Sequence, residues 1–313
     1  MDVVVVGELN PDLIFTGLAR SPRLGVEQLA QSFSFTLGGS GAICAVTLSK
    51  LGLQVGFAGK VGDDVFGASC VEFLSRYRVD TARITVDASI RTGVTVSLSY
   101  PRDRLLVTYP GSIGELQLSD LDLDYILRGS HLHLSSYYLQ KKLRVDVPAL
   151  FEAAKGRGLS ISLDTGWDPT ETWDDDISQA LEHVDIFLPN EPELCRITRR
   201  PTWDEGLSAI GEWMSPAATV VVKLGPGGAV ARQGEREVRV PPYSIVPVDT
   251  TGAGDSFDAG FIYGFLKGKD LLQALTFANA CGALSASSVG GTGGFESLTD
   301  VERFMTKNQE PRG

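Results

Sequence analysis

Six short runs of apolar or β-branched residues recur along the chain, and each is separated from the next by enough residues for a helix. Short runs of this kind are typical of buried strands in a parallel sheet, since parallel neighbours need a crossover connection between them. The runs are residues 3–6, 54–58, 131–134, 160–163, 185–188 and 219–222. The sequence therefore predicts a three-layer α/β/α sandwich with a mostly parallel central sheet.

Two stretches interrupt this alternation. Residues from about 12 to 36 and from about 90 to 111 contain strand-like patterns with no helix between them, as in the β-branched run that begins at Thr92. We expect them to form a small β-sheet that protrudes from the sandwich, within a single domain spanning residues 1–313. Phe15, Phe33 and Phe35 would be exposed on such a sheet, where they could line a site or contact a partner.

Composition narrows the class of protein. With 43% hydrophobic and 21% charged residues over 313 positions, the chain is an ordinary globular protein with a large core. No run reaches membrane-spanning length and the first residues lack a cationic leader, so we expect a cytoplasmic protein with no membrane partner. The four cysteines are dispersed, as in a reduced protein. A net charge of −11 argues against a nucleic acid partner.

The segment 249–256 is the strongest candidate for chemistry. Gly252, Ala253 and Gly254 leave little side-chain bulk at the start of an apolar helix, so their backbone N–H groups could meet an anion there. Asp255 would lie beside that anion. The helix is predicted from Phe257, Phe261 and Phe265, whose spacing directs three rings at a core. A glycine-rich turn with an Asp in the first helical turn also occurs without function.

This segment resembles the second signature of the ribokinase-like, or PfkB, family of carbohydrate kinases, which reads DTxGAGD before a helix. The resemblance implies an ATP-dependent phosphotransferase that acts on a primary hydroxyl of a small sugar or sugar derivative. Asp255 would be the general base, and Gly252, Ala253 and Gly254 would form the anion hole for the γ-phosphoryl group. It also implies that the protruding sheet is a lid over the substrate and a possible homodimer contact.

The resemblance assigns an acceptor site to several segments. Asp12 matches a carboxylate that binds two sugar hydroxyls, with Asn10 nearby, although a turn residue after Pro11 is the simpler alternative. Ile43 stands where relatives carry Asn, and Gln140 where ribose kinases carry Glu, so plain ribose is a doubtful substrate. The predicted substrate-binding residues are Asn10, Asp12, Gly38, Gly39, Ser40, Ile43 and Gln140.

Further segments match nucleotide and metal positions of the family. The glycine turn after residues 219–222 would carry the nucleotide, and Lys223 is either a phosphate contact or a solvated lysine. Asn190 and Glu193 are predicted to hold hydrated Mg²⁺, and the same pair would also form a helix capping box. The predicted nucleotide-binding residues are Lys223, Gly225, Gly228, Thr251 and Asn279.

The resemblance also implies a binding site for a monovalent cation, K⁺, beside the signature segment 249–256. Asp249 matches a family position that helps to bind such an ion, together with carbonyls of the loop that follows the last core helix. That loop is glycine-rich here, so flexible carbonyls are available. The predicted cation-binding residues are Asp249, Thr251, Ala286 and Gly291.

Other catalytic patterns are not found. The segment 264–270 is one residue short of a P-loop and ends in Asp270 where Ser or Thr should bind Mg²⁺. His131 and His133 alternate on an apolar strand, so we predict buried, hydrogen-bonded side chains rather than catalysts. Two alternatives to a sugar kinase stay open at this point: a nucleoside kinase of the same fold, and a non-catalytic sensor of sugars or nucleotides.

Overall fold

A computed structural model describes residues 1–100, 104–173 and 176–309. The strands are β1 (Val3–Val6), β2 (Asn10–Thr16), β3 (Ser32–Gly38), β4 (Val55–Ala58), β5 (Lys60–Gly62), β6 (Thr85–Asp87), β7 (Val94–Ser99), β8 (Arg104–Tyr109), β9 (His131–Leu134), β10 (Ser160–Leu163), β11 (Ile186–Phe187), β12 (Thr219–Lys223), β13 (Ala229–Gln233) and β14 (Arg236–Val240). The α-helices are α1 (Ser40–Lys50), α2 (Val65–Arg76), α3 (Leu123–Ile126), α4 (Val147–Gly156), α5 (Ile177–Leu181), α6 (Glu191–Thr198), α7 (Trp203–Ile210), α8 (Ala253–Leu266), α9 (Leu271–Ala286) and α10 (Leu298–Gln309).

The predicted central sheet is confirmed, and its strand order is β14-β13-β12-β11-β10-β9-β1-β4. The strands from β12 to β4 run parallel, whereas β13 and β14 add an antiparallel edge. β1 lies between β4 and β9, so the chain leaves its first strand in one direction and later returns on the other side of it. The carboxyl ends of β1 and β9 therefore border the crevice in which open α/β sheets bind ligands.

Two hydrophobic cores lie on the two faces of this sheet, and β1 contributes side chains to both. Val3 and Val5 belong to the core under α1, α2, α8 and α9, while Val4 and Val6 belong to the core under α3 to α7. All four side chains are fully buried. A strand that is buried on both faces shows no polar alternation, which explains why β1 reads as four valines in succession.

A second sheet has the strand order β3-β2-β7-β8, and its strands fall in the two stretches that interrupt the βα pattern. β2 pairs with β7 in parallel, and each also pairs with an antiparallel neighbour. One face of this sheet rests on α2, where the Phe35 ring lies 6.3 Å from Phe66 and 6.0 Å from Phe73 between centroids. We call this four-stranded sheet the lid sheet.

Helix α8 confirms the predicted helix after the glycine turn, with one correction. Phe257 and Phe261 are buried, but Phe265 is 37% exposed. Eight residues along a helix turn about 800°, so Phe265 points roughly 80° away from Phe257 and leaves the core in the last turn. Gly260 lets α9 approach closely, since a Cβ there would lie 2.8 Å from the Cα of Ala278.

The histidine prediction is also confirmed. His131 contacts Ser160 Oγ and Ser162 Oγ at 2.7 Å each, and His133 Nδ1 contacts Ser162 Oγ at 2.8 Å. Burial lowers the pKa of His133 to about 4, so it is neutral near pH 7. The four cysteines are free thiols, and three are buried. Within the described ranges, no helix combines the length and apolar character that a membrane crossing requires.

Candidate active site

Glu8 follows β1 at the crevice between β1 and β9, and sequence reasoning did not select it. The carboxylate is buried and accepts three hydrogen bonds: from the Ser40 backbone N–H at 2.8 Å, from Ser136 Oγ at 2.7 Å and from Gln140 Nε2 at 3.1 Å. Burial raises its pKa. Glu8 thus connects the start of α1 to the segment after β9, and it holds two of the predicted substrate residues, Ser40 and Gln140, in one place.

Gly38 and Gly39 are required by the close approach of α1 to this segment. A Cβ on Gly39 would lie 2.8 Å from the Glu8 carbonyl oxygen, and Gly39 has a φ of +83°. A Cβ on Gly38 would lie 2.1 Å from Asp12 Oδ1. A side chain at position 39 would collide with the backbone of Glu8, and one at position 38 would displace the Asp12 carboxylate, so both glycines shape the pocket.

The lid sheet turns a polar face toward this pocket. Asn10 Nδ2 lies 3.3 Å from Asp12 Oδ1 and 3.3 Å from Thr95 Oγ1. Thr95 Oγ1 in turn lies 3.1 Å from Thr108 Oγ1 on the neighbouring strand. Thr36, which pairs with Asp12 across the sheet, lies against Gly290 of the loop after α9. The lid face that carries the predicted Asn10 and Asp12 is therefore lined with hydroxyl groups.

Ile43 and Gln140 occupy different surroundings. Ile43 is buried, and a Cβ on Gly291 would lie 2.3 Å from its Cδ1, so the side chain packs against the loop after α9. Gln140 is fully buried with its Nε2 on Glu8, and its Oε1 has no hydrogen-bond partner among the described residues. Ile43 therefore contributes only an apolar contact with the loop, whereas Gln140 retains one hydrogen-bond acceptor, Oε1, without a partner among the described residues.

Asp255 lies in the first turn of α8, with groups of both charges around it. The Ser40 side chain donates a hydrogen bond to its carboxylate. Burial, then the negative charges of Asp164 and Glu8, raise its pKa to about 7, although the Lys223 ammonium opposes the shift. A carboxyl group with this pKa is partly ionised at neutral pH and still basic enough to accept a proton.

The glycine turn before Asp255 has both strained and open positions. Gly252 has a φ of +72°, and a Cβ there would lie 2.4 Å from the Cα of Gly291, so only glycine fits. Gly254 is open, since a Cβ there would meet nothing closer than Lys223 Nζ at 3.8 Å. The Ala253 N–H donates to the Thr250 carbonyl at 3.3 Å, a long bond. The amides of Gly252 and Gly254 have no such internal acceptor among the described residues.

A mostly apolar cavity of about 460 Å³ opens beside this turn. Its lining includes Lys223, Gly225, Gly228 and Asn279, four of the five residues predicted to bind nucleotide. Thr250 lines the cavity as well, whereas the Thr251 hydroxyl donates to Asp249 Oδ1 at 2.8 Å. The volume lies within the usual range for small-ligand pockets.

Asn279 and Gly228 fix two walls of this cavity. Asn279 Nδ2 donates to the Pro241 carbonyl at 2.8 Å, which orients the amide on α9. Gly228 has a φ of +86°, and a Cβ there would lie 2.1 Å from the Val240 carbonyl oxygen. Glycine is thus needed for β13 and β14 to close this side of the cavity.

Lys223 ends β12 at the base of the cavity, and its ammonium contacts two buried carboxylates. Nζ lies 3.0 Å from Asp164 Oδ1 and 2.9 Å from both carboxylate oxygens of Asp258. Burial disfavours the charged amine, yet Asp164 and Asp258 outweigh it and raise the pKa of Lys223. The alternative of a solvated lysine is therefore wrong, because this side chain is a cation paired with two carboxylates and only 13% exposed.

Asn190 and Glu193 form the capping box that begins α6. Asn190 Oδ1 accepts from the Glu193 N–H, and Glu193 Oε2 accepts from the Asn190 N–H, both at 2.9 Å. Glu193 Oε2 also accepts from Thr165 Oγ1 at 2.9 Å. Burial and the nearby Asp164 raise the pKa of Glu193. Within the described ranges, no cluster of three or more His, Cys, Asp or Glu side chains is arranged to hold a metal ion.

Asp249 organises the turn that precedes α8. Its Oδ1 accepts from the Thr251 N–H at 2.9 Å, and its Oδ2 accepts from the Gly290 N–H at 3.0 Å. The Ala286 carbonyl accepts the N–H of Val248 at 2.8 Å. Three of the residues predicted to bind a monovalent cation, Asp249, Thr251 and Ala286, thus form one hydrogen-bonded unit, and the fourth, Gly291, packs against Gly252.

Three polar residues of the site were not predicted from sequence: Glu8, Thr95 and Asp258. None of the three belongs to the segments that carry the family resemblance. A carboxylate two residues beyond the end of a fully apolar strand was the available signal for Glu8. For Asp258, the signal was an acidic residue between the apolar residues Phe257 and Ala259 of α8.

Comparison with known proteins identifies the family and the fold of the chain. Residues 1–298 match the family model described as pfkB family carbohydrate kinase. A ribokinase of Bacillus subtilis is 27% identical and aligns over 97% of this chain and 99% of its own. Arabidopsis thaliana ribokinase, solved with ribose and ATP, is 25% identical, with a TM-score of 0.81 over 97% of this chain and 98% of its own. Vibrio cholerae fructokinase, solved with fructose, ADP and calcium, is 27% identical, with a TM-score of 0.80 over 97% and 99%.

The chain belongs to the pfkB family of carbohydrate kinases. The fold is ribokinase-like, as the resemblance implied. Within that class, the protein is a sugar kinase, a phosphotransferase with an alcohol group as acceptor.

Proposed function

We propose that this protein transfers the γ-phosphoryl group of ATP to a primary hydroxyl of a neutral, polyhydroxylated sugar. The observation that carries the proposal is the position of Asp255, which lies where the acceptor pocket meets the nucleotide cavity. Ser40 connects it to the acceptor side through Glu8, and Gly254 connects it to the cavity. One carboxyl group is thus within reach of both substrates.

In this proposal Asp255 accepts the proton of the acceptor hydroxyl while the oxygen attacks phosphorus. The amides of Gly252 and Gly254 face the transferring group and stabilise its charge. Ala253 contributes less, because its N–H is already directed at Thr250. The glycine turn needs no rearrangement to act, since Asp249 and Gly291 already hold it in place.

Charge balance favours a divalent cation at the phosphate end. Asp164, Asp258 and Glu193 surround a single ammonium, so the site has an excess of negative charge. Amide and carboxylate oxygens suit Mg²⁺, and hydrogen bonds already occupy Asn190 Oδ1 and Glu193 Oε2. We therefore expect these two residues to hold the ion through its water shell. When bound, Mg²⁺ would offset the charge of the phosphates.

The acceptor pocket favours a neutral sugar over a sugar acid. The side chains around the acceptor position are carboxylates and hydroxyls. Both kinds of group form hydrogen bonds with sugar hydroxyls, whereas the carboxylates repel the negative charge of a sugar acid. These side chains are Glu8, Asp12, Thr36, Thr95, Thr108 and Asp255. The two solved relatives named above were crystallised with ribose and with fructose, which are both neutral.

The test is a coupled assay of ADP release over a panel of neutral sugars, sugar acids and nucleosides. We expect a neutral sugar to give the highest kcat/KM. Asp255→Asn should lower kcat roughly 10²–10⁴-fold, as expected for loss of a general base, and should still bind ATP. A variant that keeps half of the wild-type turnover would exclude Asp255 as the base. Tight binding of sugar without ADP release in the wild type would indicate a sensor, and a purine nucleoside as the best acceptor would indicate a nucleoside kinase.

Two features of the family resemblance remain predictions. A dimer through the lid sheet is expected from its exposed apolar residues, which include Phe33, Leu105 and Val107. K⁺ activation is expected if carbonyls of the Asp249 unit turn toward an ion. Sedimentation and a comparison of rates in K⁺ with rates in a bulky organic cation would test them separately.

A further inference from the structure

Asp258 is the second acidic residue of α8 after Asp255, and the proposed reaction gives it no role. It lies in the second turn of α8, one turn beyond Gly254, and is 1% exposed. A buried carboxylate costs free energy unless it is paired and hydrogen-bonded. Lys223 supplies that pairing, with Nζ at 2.9 Å from both oxygens.

The pairing places the ammonium at the phosphate end of the cavity. Lys223 Nζ lies 3.8 Å from the position that a Cβ on Gly254 would occupy, and Lys223, Ala253 and Gly254 all line the cavity. Because Asp258 and Gly254 are four residues apart on the same helix, they lie on one face of it. Asp258 therefore fixes the position of the Lys223 ammonium relative to the glycine amides.

We propose that Asp258 is a positioning residue that holds the Lys223 ammonium where the phosphates of ATP bind, while Asp164 is the partner that the phosphate replaces. Asp258 binds Nζ through both oxygens, but Asp164 binds it through Oδ1 alone. The Asp164 Oδ2 atom accepts from the Gly166 N–H at 3.2 Å, so Asp164 keeps a partner after the exchange. This inference rests on the proposed function, since it needs phosphate at the start of α8.

A double-mutant cycle tests the inference. Calorimetry would measure the affinity for ATP with Mg²⁺ and for adenosine in the wild type, Asp258→Asn, Lys223→Met and the double variant. We expect each single variant to bind ATP about tenfold more weakly and adenosine normally. We expect Asp258→Asn to add no further loss in the Lys223→Met background, because it acts only through the ammonium.

The double variant also controls for folding. It removes the charges of Lys223 and Asp258 together, so neither is left without the other, and Asp164 keeps its hydrogen bond from the Gly166 N–H. We therefore expect it to unfold at a higher temperature than Lys223→Met, in which Asp258 and Asp164 both lose the ammonium. A purely structural ion pair would change the unfolding temperature of the single variants and leave the ratio of ATP to adenosine affinity unchanged. That result would overturn the inference.

Lys60 provides a matched control, because its ammonium is also paired with two carboxylates. Lys60 Nζ lies 3.2 Å from Asp87 and 3.1 Å from Asp120, and its side chain is similarly buried. None of these three residues lines the cavity. Asp120→Asn should therefore leave ATP affinity unchanged, and an equal loss there would also overturn the inference. Failure of the proposed function would appear differently, as turnover that survives in Asp255→Asn.

Discussion

The two ends of the site are built in opposite ways. The phosphate end takes its turn, its amides and its base from eight consecutive residues, 249–256. The acceptor end takes Glu8 from the end of β1, Asp12 and Thr95 from the lid sheet and Gln140 from the segment after β9. Groups that are close in sequence keep their geometry when other elements change. Groups collected from distant segments can be exchanged one at a time, which suits the part of the site that chooses a substrate.

If this division is correct, the largest specific effect at the acceptor end comes from Asp12→Asn. We expect kcat/KM for the sugar to fall about 100-fold, because two hydrogen bonds to a charged group contribute roughly 1.5–3 kcal/mol each and the amide retains only part of them. The KM for ATP should not change. Steady-state kinetics with each substrate varied would check this, and a matching rise in the KM for ATP would show that the two ends are not separate.

At the phosphate end, the corresponding change is Gly254→Ala. The methyl group fits the free protein, since its nearest neighbour is Lys223 Nζ at 3.8 Å, but it occupies space that a phosphate needs. We expect the KM for ATP to rise at least about tenfold, the effect of one lost charge-assisted hydrogen bond, with an unchanged unfolding temperature. Gly156→Ala on α4, where a Cβ meets nothing within 4 Å, is the matched control and should leave kinetics unchanged.

A smaller effect is expected from pH. The pKa of Asp255 is raised to about 7, and the ionised form is the one that accepts a proton. kcat/KM should therefore fall as pH falls below 7, about tenfold by pH 6, and level off above pH 8. Rates measured across this range would check it. A profile that is flat from pH 5 to 8 would mean that Asp255 titrates far lower or is not the base.

The smallest effect is expected from Glu8→Gln, which tests whether a charge at the acceptor end changes the pKa of Asp255 at the phosphate end. The negative charge of Glu8 raises the pKa of Asp255, so the neutral amide should lower that pKa and move the acid limb to lower pH by less than about one unit. The Gln140 amide can turn to offer its unpartnered Oε1 to the new side chain. Activity at pH 6 relative to pH 8 should rise slightly, and a shift to higher pH would contradict the assigned sign.

The parts of the fold that could be predicted from sequence were those with a local signal. The valines of β1, the phenylalanines at 257 and 261 and the glycine turn each report a periodicity or a backbone requirement within a few residues. Phe265 was placed wrongly because its exposure depends on where α8 leaves the core. Whether Lys223 is solvated or paired could not be predicted from sequence either, because both of its carboxylate partners are distant in sequence.

The sequence by itself determined a mostly parallel α/β sheet, an added small sheet and a helix that begins with an anion-binding turn and an acid. These follow from hydrophobic periodicity and from glycine conformations, which act over short range. Only the tertiary structure decided that Glu8, Asp164 and Asp258 join that turn, because strand order brings the carboxyl ends of β1, β9, β10 and β12 to one edge. Burial at that edge then raises the pKa of Asp255, and the residues next to Asp255 in sequence do not determine that burial.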